Sequence, residues 1–199
     1  METRTLVIAD ELFGPRGEAA EIFSQLVLCL EPETPRQFLF HTPFHGSIKS
    51  LCSKVDIDIA GKKPWRIILG LGLRELRLGV EVQTLFNTFK DLLQEISKRI
   101  SSEIYVVTIP EAALPDAPSV LLHWNALLNT LDLPHVTVLD FAKAEAEFQK
   151  RQSARGKYSR NLWEESGAPA PICLMLLALF LQRKFKTQSA TIAQNSKEA

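Results

Sequence analysis

Short apolar runs recur along the chain, and stretches with helical periodicity lie between them. Five of these runs are rich in β-branched and aromatic residues, which is typical of strands buried in a parallel sheet. They cover residues 5–9, 37–41, 67–71, 103–109 and 135–139. Between the third and fourth runs, residues 80–100 place Phe86, Phe89 and Leu93 on one face of a helix. Strands that alternate with helices predict a doubly wound α/β fold with helices on both faces of the sheet.

The remaining segments complete this picture. A loop over residues 73–75 is expected after the third strand, and a helix is expected over residues 119–131, with Ser119 as its cap and Leu122 on its buried face. The last helix, over residues 171–185, is almost entirely apolar and is expected to pack flat on the sheet. We therefore predict a single domain over residues 1–185 and a disordered tail over residues 186–199.

Composition and charge narrow the function classes. The chain has 199 residues, of which 46% are hydrophobic, and its 23 basic residues balance its 23 acidic ones, so no overall field favours nucleic acid or a membrane surface. The first ten residues lack the apolar run of a signal peptide. Three cysteines without metal-type spacing are expected to be buried free thiols in a reducing compartment. These features predict a cytoplasmic protein with no metal, no cofactor and no membrane partner.

The most informative stretch is RIILGLGLRELRLG, over residues 66–79, in which an apolar strand runs into Gly72. Ligands and catalytic groups of α/β proteins gather in loops after parallel strands. The stretch resembles the third block of the SGNH/GDSL esterase family, usually Leu-Gly-Thr-Asn-Asp-Leu-Arg, and it matches that block at Gly72, Leu76 and Arg77. Arg74 stands where the family keeps its oxyanion-hole asparagine, and Glu75 replaces the usual aspartate.

The other blocks of the family have counterparts in the same order along this chain, but different residues stand at their functional positions. The first block, Gly-Asp-Ser-Leu, resembles residues 9–12, so that Glu11 takes the nucleophile position. Gly46 is the candidate for the second-block glycine. The last block, Asp-x-x-His-Pro, resembles residues 165–169, with Glu165 as the orienting carboxylate and Ala168 in place of the base. The resemblance implies a three-layer α/β/α sandwich with a parallel sheet of about five strands, which is SGNH hydrolase-like and flavodoxin-like. It also implies that the chain has no working catalytic triad.

This pattern leads to a functional hypothesis with two rivals. The favoured function is a pseudo-esterase that serves as an interaction or scaffold module, with a protein as its partner. The first rival is an atypical hydrolase that uses the remaining carboxylates or a displaced serine; His45 and Ser47 are one such pair, although Ser47 is more simply interpreted as a helix cap. In the favoured hypothesis, Arg74 lies between Glu11 and Glu165 as an ion pair across the old pocket; a Mg²⁺ site is the less favoured alternative.

The second rival is RNA binding through residues 150–160, which hold five basic residues and no acid. Clustered basic side chains can contact phosphates, and a neighbouring aromatic ring can stack on a base. The candidate binding residues are Lys150, Arg151, Arg155, Lys157, Tyr158 and Arg160. The OSK domain of the insect Oskar protein, which is similar to such esterases but lacks their catalytic residues and binds RNA, is an analogy for this reading. A solvated loop is the simpler interpretation, given the neutral overall charge.

Overall fold

The computed structural model describes residues 3–13, 18–30, 36–41, 47–154 and 162–195. Its strands are β1 (Thr3–Ala9), β2 (Arg36–His41), β3 (Arg66–Gly70), β4 (Glu103–Val107) and β5 (Val136–Leu139). Its α-helices are α1 (Glu18–Leu30), α2 (Ile48–Ser53), α3 (Val55–Asp58), α4 (Leu73–Arg77), α5 (Val82–Arg99), α6 (Pro118–Leu128), α7 (Phe141–Ala154) and α8 (Pro171–Asn195). Single 3₁₀ turns occur at Glu11–Phe13, Ala60–Lys62 and Glu111–Ala113.

The strands form one parallel sheet in the order β2-β1-β3-β4-β5. Each apolar run predicted to be a strand lies in this sheet, so the predicted α/β fold is confirmed. The central strands are buried almost throughout; Leu6, Ile67 and Ile68, for example, have no more than a trace of exposed surface. Near-continuous apolar runs form such strands because both faces of the sheet are covered by helices.

The strand order also explains the two helical layers. The chain moves from β1 to β2 in one direction and then from β2 through β3 and β4 to β5 in the other. Because parallel crossovers are right-handed, α1 covers one face of the sheet, and α2, α3, α5 and α6 cover the opposite face. The last helix returns to the first face, where Phe185 packs edge-on against Tyr105 and also meets Phe23 of α1. On the opposite face, Phe89 packs against Trp124.

Two predicted segments differ from the structure along the chain. Residues 73–75 were expected to be a loop, but they open the short helix α4 (Leu73–Arg77). Leu, Arg and Glu all favour helices, and Gly72 supplies the left-handed turn that begins this one. Helix α8 continues to Asn195, into the segment for which a disordered tail was predicted. Residues 186–195 contain neither proline nor glycine, so nothing local ends the helix at residue 185. The domain boundary itself stays a prediction.

Two predicted side-chain environments also differ. Helix α6 begins at Pro118 after Ala117, without a side-chain cap from Ser119. Its buried stripe is Leu121, Trp124, Asn125 and Leu128, which leaves Leu122 52% exposed. Proline is favoured at the first position of a helix, which explains the start at Pro118, and the packing of α6 against α5 sets which residues face the core. The three cysteines are free, but only Cys173 is buried, because Cys29 lies on the solvent side of α1 and Cys52 is partly covered.

Candidate functional site

The candidate site lies where the strand order reverses, at the carboxyl ends of β1 and β3. In open α/β sheets, the loops on either side of such a switch point diverge and leave a crevice for a ligand. Asp10 and Glu11 follow β1 directly, and Gly72 and α4 follow β3. The backbone N–H of Asp10 donates to the carbonyl of Gly70 at 2.9 Å, which holds the two strand ends together. Residues far apart in sequence therefore meet at this edge.

Asp10 is the buried carboxyl group of the site. Its Oδ1 accepts the backbone N–H of Leu12 at 3.1 Å, and its Oδ2 accepts the backbone N–H of Arg74 at 3.3 Å. Burial, helped by the nearby carboxylate of Glu75, raises the pKa of the Asp10 carboxyl to about 7, although the backbone N–H donors oppose the rise. The side chain thus links the loop after β1 to the start of α4, and it changes its protonation near neutral pH.

Glu75 is a second buried carboxylate, and its contact is structural. Its Oε1 accepts the backbone N–H of Ile48, the first residue of α2, at 2.7 Å. The next residue back, Ser47, caps the same helix, since its hydroxyl accepts the N–H of Ser50 at 3.2 Å. The interpretation of Ser47 as a capping serine is confirmed. Glu75 and Ser47 together satisfy free donors at the start of α2, as helix N-termini require.

Gly72 allows α4 to begin against the core. Its φ is +111°, and a Cβ at this position would lie 2.8 Å from the indole ring of Trp124. An L-residue would be strained in this conformation and would also collide with the ring. The position of Gly72, which also matches the family block, therefore requires glycine for a local reason. The chain must turn tightly over Trp124 before α4 can place its arginines at the edge of the sheet.

Arg77 joins three loops of this edge, in an arrangement that we call the Arg77 clamp, formed by Arg77, Glu11, Ala113 and Gly167. Its Nη1 donates to Oε2 of Glu11, and its Nη2 donates to the carbonyl of Ala113 at 2.9 Å and to that of Gly167 at 2.6 Å. Gly167 has a φ of +75°, and a Cβ there would lie 2.5 Å from the Ala113 carbonyl oxygen. The guanidinium fork suits such a junction because it offers several donors in one rigid plane.

Comparison with solved structures identifies the architecture. The chain matches a catalytic mutant of Axe2, an acetylxylan esterase from Geobacillus stearothermophilus, with a TM-score of 0.73 at 14% identity, covering 91% of this chain and 93% of that one. The chain has an SGNH hydrolase-like fold. A GDSL-like lipase from Parabacteroides merdae matches with a TM-score of 0.71 at 14% identity, covering 89% of this chain and 93% of the other.

The same fold recurs in the lipase/acylhydrolase from Enterococcus faecalis, which matches with a TM-score of 0.67 at 12% identity over 94% of this chain and 96% of that one. No family model matches the sequence, and no curated protein matches it significantly. The similarity is therefore one of structure, and the chemistry has to be judged from the residues at the carboxyl edge.

The structure corrects the predicted ion pair at this edge. Glu11 pairs with Arg77 and not with Arg74, for which the described residues offer no carboxylate within ion-pair distance. Because α4 is helical, the N–H of Arg74 at its start faces Asp10, and the side chain one turn later reaches Glu11. Glu165 is exposed, and Ala168 is half-buried in the loop before α8. From the sequence, Arg77 was expected only to match the family block. Its position about one helical turn after Arg74 is the signal that indicates a different contact for each arginine.

The other candidate residues are only partly covered by the structure. Lys150 and Arg151 are exposed near the end of α7, and Arg151 pairs with Glu147 one turn earlier at 3.5 Å. The remaining candidates lie outside the described residues, namely His45, Gly46, Arg155, Lys157, Tyr158 and Arg160. The predicted basic binding surface therefore stays a prediction.

The described part of the chain provides no familiar catalytic centre at this edge. Within it, no hydrogen bond joins a histidine to a serine, and no three His, Cys, Asp or Glu side chains form a group that could hold a metal ion. The buried carboxylates of Asp10 and Glu75 accept backbone N–H donors instead. This arrangement of buried carboxylates is suited to holding the loops together.

None of the described helices has the length and apolar character needed to cross a membrane.

Proposed function

We propose that this chain is a catalytically inactive SGNH hydrolase-like protein that acts as an interaction or scaffold module, with another protein as its partner. Its fold is that of esterases and lipases, but their functional positions carry other chemistry here. Glu11 occupies the nucleophile position of the resemblance, Arg74 the asparagine position and Ala168 the position of the base. A methyl group cannot accept a proton, and without both nucleophile and base only residual catalysis remains.

The Arg77 clamp is the observation that carries this proposal. A nucleophile must be free to attack, and a catalytic crevice needs room between its loops. Here the Glu11 carboxylate is bound by the guanidinium of Arg77, which also holds the carbonyls of Ala113 and Gly167. The loops that border the crevice are therefore joined across it by one side chain. Such a junction favours a rigid surface that a partner can recognise.

Asp10 supports a second candidate, an atypical hydrolase. A carboxyl group whose pKa is about 7 can donate and accept a proton near neutral pH, which is the requirement for general acid–base catalysis. Under this alternative, Asp10 would activate a water molecule directly, with no covalent enzyme intermediate. Its two backbone donors and its burial argue for a structural role instead, since both carboxylate oxygens are already engaged.

The proposal is tested with a fluorophosphonate probe, followed by intact-mass analysis and peptide mapping. We expect no adduct on any serine under conditions in which a serine esterase is labelled fully. In parallel, hydrolysis of p-nitrophenyl acetate is compared for the unaltered chain and Asp10→Asn, and we expect both rates to equal that of a protein-free buffer control. A stoichiometric serine adduct, or turnover that Asp10→Asn abolishes, would show that the chain is an enzyme.

The RNA-binding alternative has its own test. Lys150 and Arg151 are exposed on the described part of the basic segment, so their charges are accessible to a phosphate backbone. Binding of single-stranded RNA is measured at low salt for the unaltered chain and for Lys150→Gln with Arg151→Gln. A protein scaffold should show no RNA binding. Salt-dependent binding that the double variant weakens would replace the scaffold proposal with the RNA-binding one.

A further inference from the structure

The segment between α2 and β3 exposes two large apolar side chains. Ile57 of α3 is 77% exposed, and Trp65, which directly precedes β3, is 53% exposed. Trp65 lies at the amino end of the sheet, since its backbone N–H donates to the carbonyl of Arg4 at 2.9 Å and its carbonyl accepts the N–H of Glu103. Single exposed apolar residues are common, but here two of them flank a basic turn.

Three lysines belong to the same segment. Lys54 and Lys63 are exposed and Lys62 is half-buried, and among the described residues none of the three is in an ion pair. Of the two acids in this segment, Asp56 pairs with Arg99 at 2.7 Å, whereas Asp58 lies 3.8 Å from the imidazole of His41.

The positive charges of two of these lysines affect the pKa of a neighbouring residue, His41. The pKa of His41 is lowered, first by burial and then by the charges of Lys62 and Lys54, although Asp58 opposes them. Arg4 adds a further positive charge, because its guanidinium donates to the carbonyl of Lys62 at 3.3 Å. The segment is locally basic although the whole chain is neutral.

The backbone holds this segment in a compact fold. A Cβ at Gly61 would lie 3.0 Å from the carbonyl oxygen of Asp56, so the 3₁₀ turn Ala60–Lys62 lies directly against α3. Lys63 then adopts a left-handed conformation with a φ of +47°, and its N–H donates to the carbonyl of Ala60. These contacts keep the lysines close to the apolar residues on either side of them.

We propose that this lysine–tryptophan surface, formed by Lys54, Ile57, Lys62, Lys63 and Trp65, binds the surface of an anionic lipid bilayer. Lysines near anionic headgroups gain electrostatic attraction, and tryptophan is favoured at the headgroup level of membranes. An exposed isoleucine can insert among acyl chains. Base stacking could use the ring of Trp65 but not Ile57, whereas a bilayer would take up both apolar side chains, so the composition favours lipid over RNA.

This proposal goes beyond the scaffold function, and it differs from the sequence expectation of no membrane partner. That expectation rested on the neutral net charge of the chain, which averages over the whole surface. Within the lysine–tryptophan surface, Trp65 lies at the amino end of the sheet, whereas the Arg77 clamp lies at the carboxyl end, so insertion of Trp65 into a bilayer would leave the clamp accessible to a protein partner. Peripheral binding would bring that partner to a lipid surface.

The experiment is co-sedimentation with sucrose-loaded vesicles, with tryptophan emission as a second readout. Vesicles of phosphatidylcholine mixed with phosphatidylserine are compared with vesicles of phosphatidylcholine alone. Of the three tryptophans, Trp124 and Trp163 are buried, so a blue shift on binding reports on Trp65. We expect binding and a blue shift with the anionic vesicles and neither with neutral ones.

Variants separate the contributions of charge and insertion. Each neutralised lysine should weaken binding about fivefold, so Lys62→Gln with Lys63→Gln should weaken it about 25-fold. Ile57→Gln, which changes a side chain that is almost fully exposed and thus spares the fold, should also reduce binding. The matched controls are Lys49→Gln with Lys143→Gln, which remove two exposed charges elsewhere, and Leu78→Gln, which changes an equally exposed apolar residue after α4.

Two results would overturn the proposal. One is the absence of binding to anionic vesicles at low salt, or binding that the control variants weaken as much as Lys62→Gln with Lys63→Gln. The other is binding of single-stranded RNA, but not of vesicles, that depends on Trp65 and these lysines, which would assign the surface to nucleic acid. Neither result bears on the fluorophosphonate test. The first leaves the proposed function unaffected, whereas the second would also contradict the expectation that a protein scaffold binds no RNA.

Discussion

Replacing Arg77 with alanine removes the side chain that joins the three loops at the carboxyl edge. The ion pair with Glu11 is half-exposed, with 25% of the Arg77 side chain and 43% of that of Glu11 accessible, so it contributes about 0.5 kcal/mol. The hydrogen bonds to the carbonyls of Ala113 and Gly167 have a charged donor, and at the lower end of the range for such bonds each contributes about 1.5 kcal/mol. Arg77→Ala should therefore lower the free energy of unfolding by about 3.5 kcal/mol.

The assay is thermal and urea unfolding, followed by hydrogen exchange of the affected loops. For a domain of this size, a loss of that magnitude corresponds to a fall in Tm of about 10 °C. Amide exchange should rise in residues 111–114 and 164–168, because these loops lose their common anchor. Arg77→Lys should retain only part of the stability, since an ammonium group cannot hold one carboxylate and two carbonyls in the geometry of a planar fork.

Two variants make the reasoning refutable. Arg74→Ala removes an arginine from the same helix that forms no ion pair among the described residues, and it should change the free energy of unfolding by less than about 0.5 kcal/mol. Glu11→Gln keeps an acceptor for Arg77 and should cost less than about 1 kcal/mol. If Arg77→Ala and Arg74→Ala have equal effects, or if exchange in the two loops is unchanged, the Arg77 clamp does not hold the edge together.

Two further predictions concern the buried carboxylates. The raised pKa of Asp10 means that the folded state binds its proton more tightly than the unfolded state, so the contribution of this group is present below pH 4 and is lost as the pH rises to about 7. Relative to Asp10→Asn, the unaltered chain should lose up to about 4 kcal/mol of stability across that window; equal pH profiles in urea unfolding would contradict this. Glu75→Ala leaves the buried N–H of Ile48 without its acceptor and should cost about 2 kcal/mol, whereas Glu75→Gln should largely preserve stability. Equal losses of Tm in the two Glu75 variants would show that this hydrogen bond is unimportant.

The strands and most of the helices could be predicted because buried positions produce a local pattern of apolar residues in the sequence. The run over residues 67–71 is apolar at every position because β3 is covered on both faces, and the stripe that includes Phe86, Phe89 and Leu93 has the period of a helix with one buried side. Since successive parallel strands place their carboxyl ends at one edge, the chain order alone was enough to bring Glu11 and residues 72–77 into one neighbourhood.

The pattern of apolar residues could not show whether Arg74 or Arg77 pairs with Glu11. The pairing depended on residues 73–77 being helical and on where two remote loops lie. Arg77 contacts Glu11 across 66 residues of sequence and Gly167 across 90, and no periodicity reports on contacts of that span. The exposure of Leu122 shows the same limit, because the rotation of α6 about its axis, which its tertiary neighbours set, decides which side chains face the core.

The sequence by itself thus determined the architecture and the edge at which its unusual residues gather, since both follow from hydrophobic periodicity and from the direction of the chain. Only the tertiary structure decided which guanidinium binds Glu11, why the carboxyl of Asp10 stays protonated up to about neutral pH, and which lysines lie beside Trp65. These properties depend on distance and desolvation, and both are set by segments that become neighbours only after the sheet has formed.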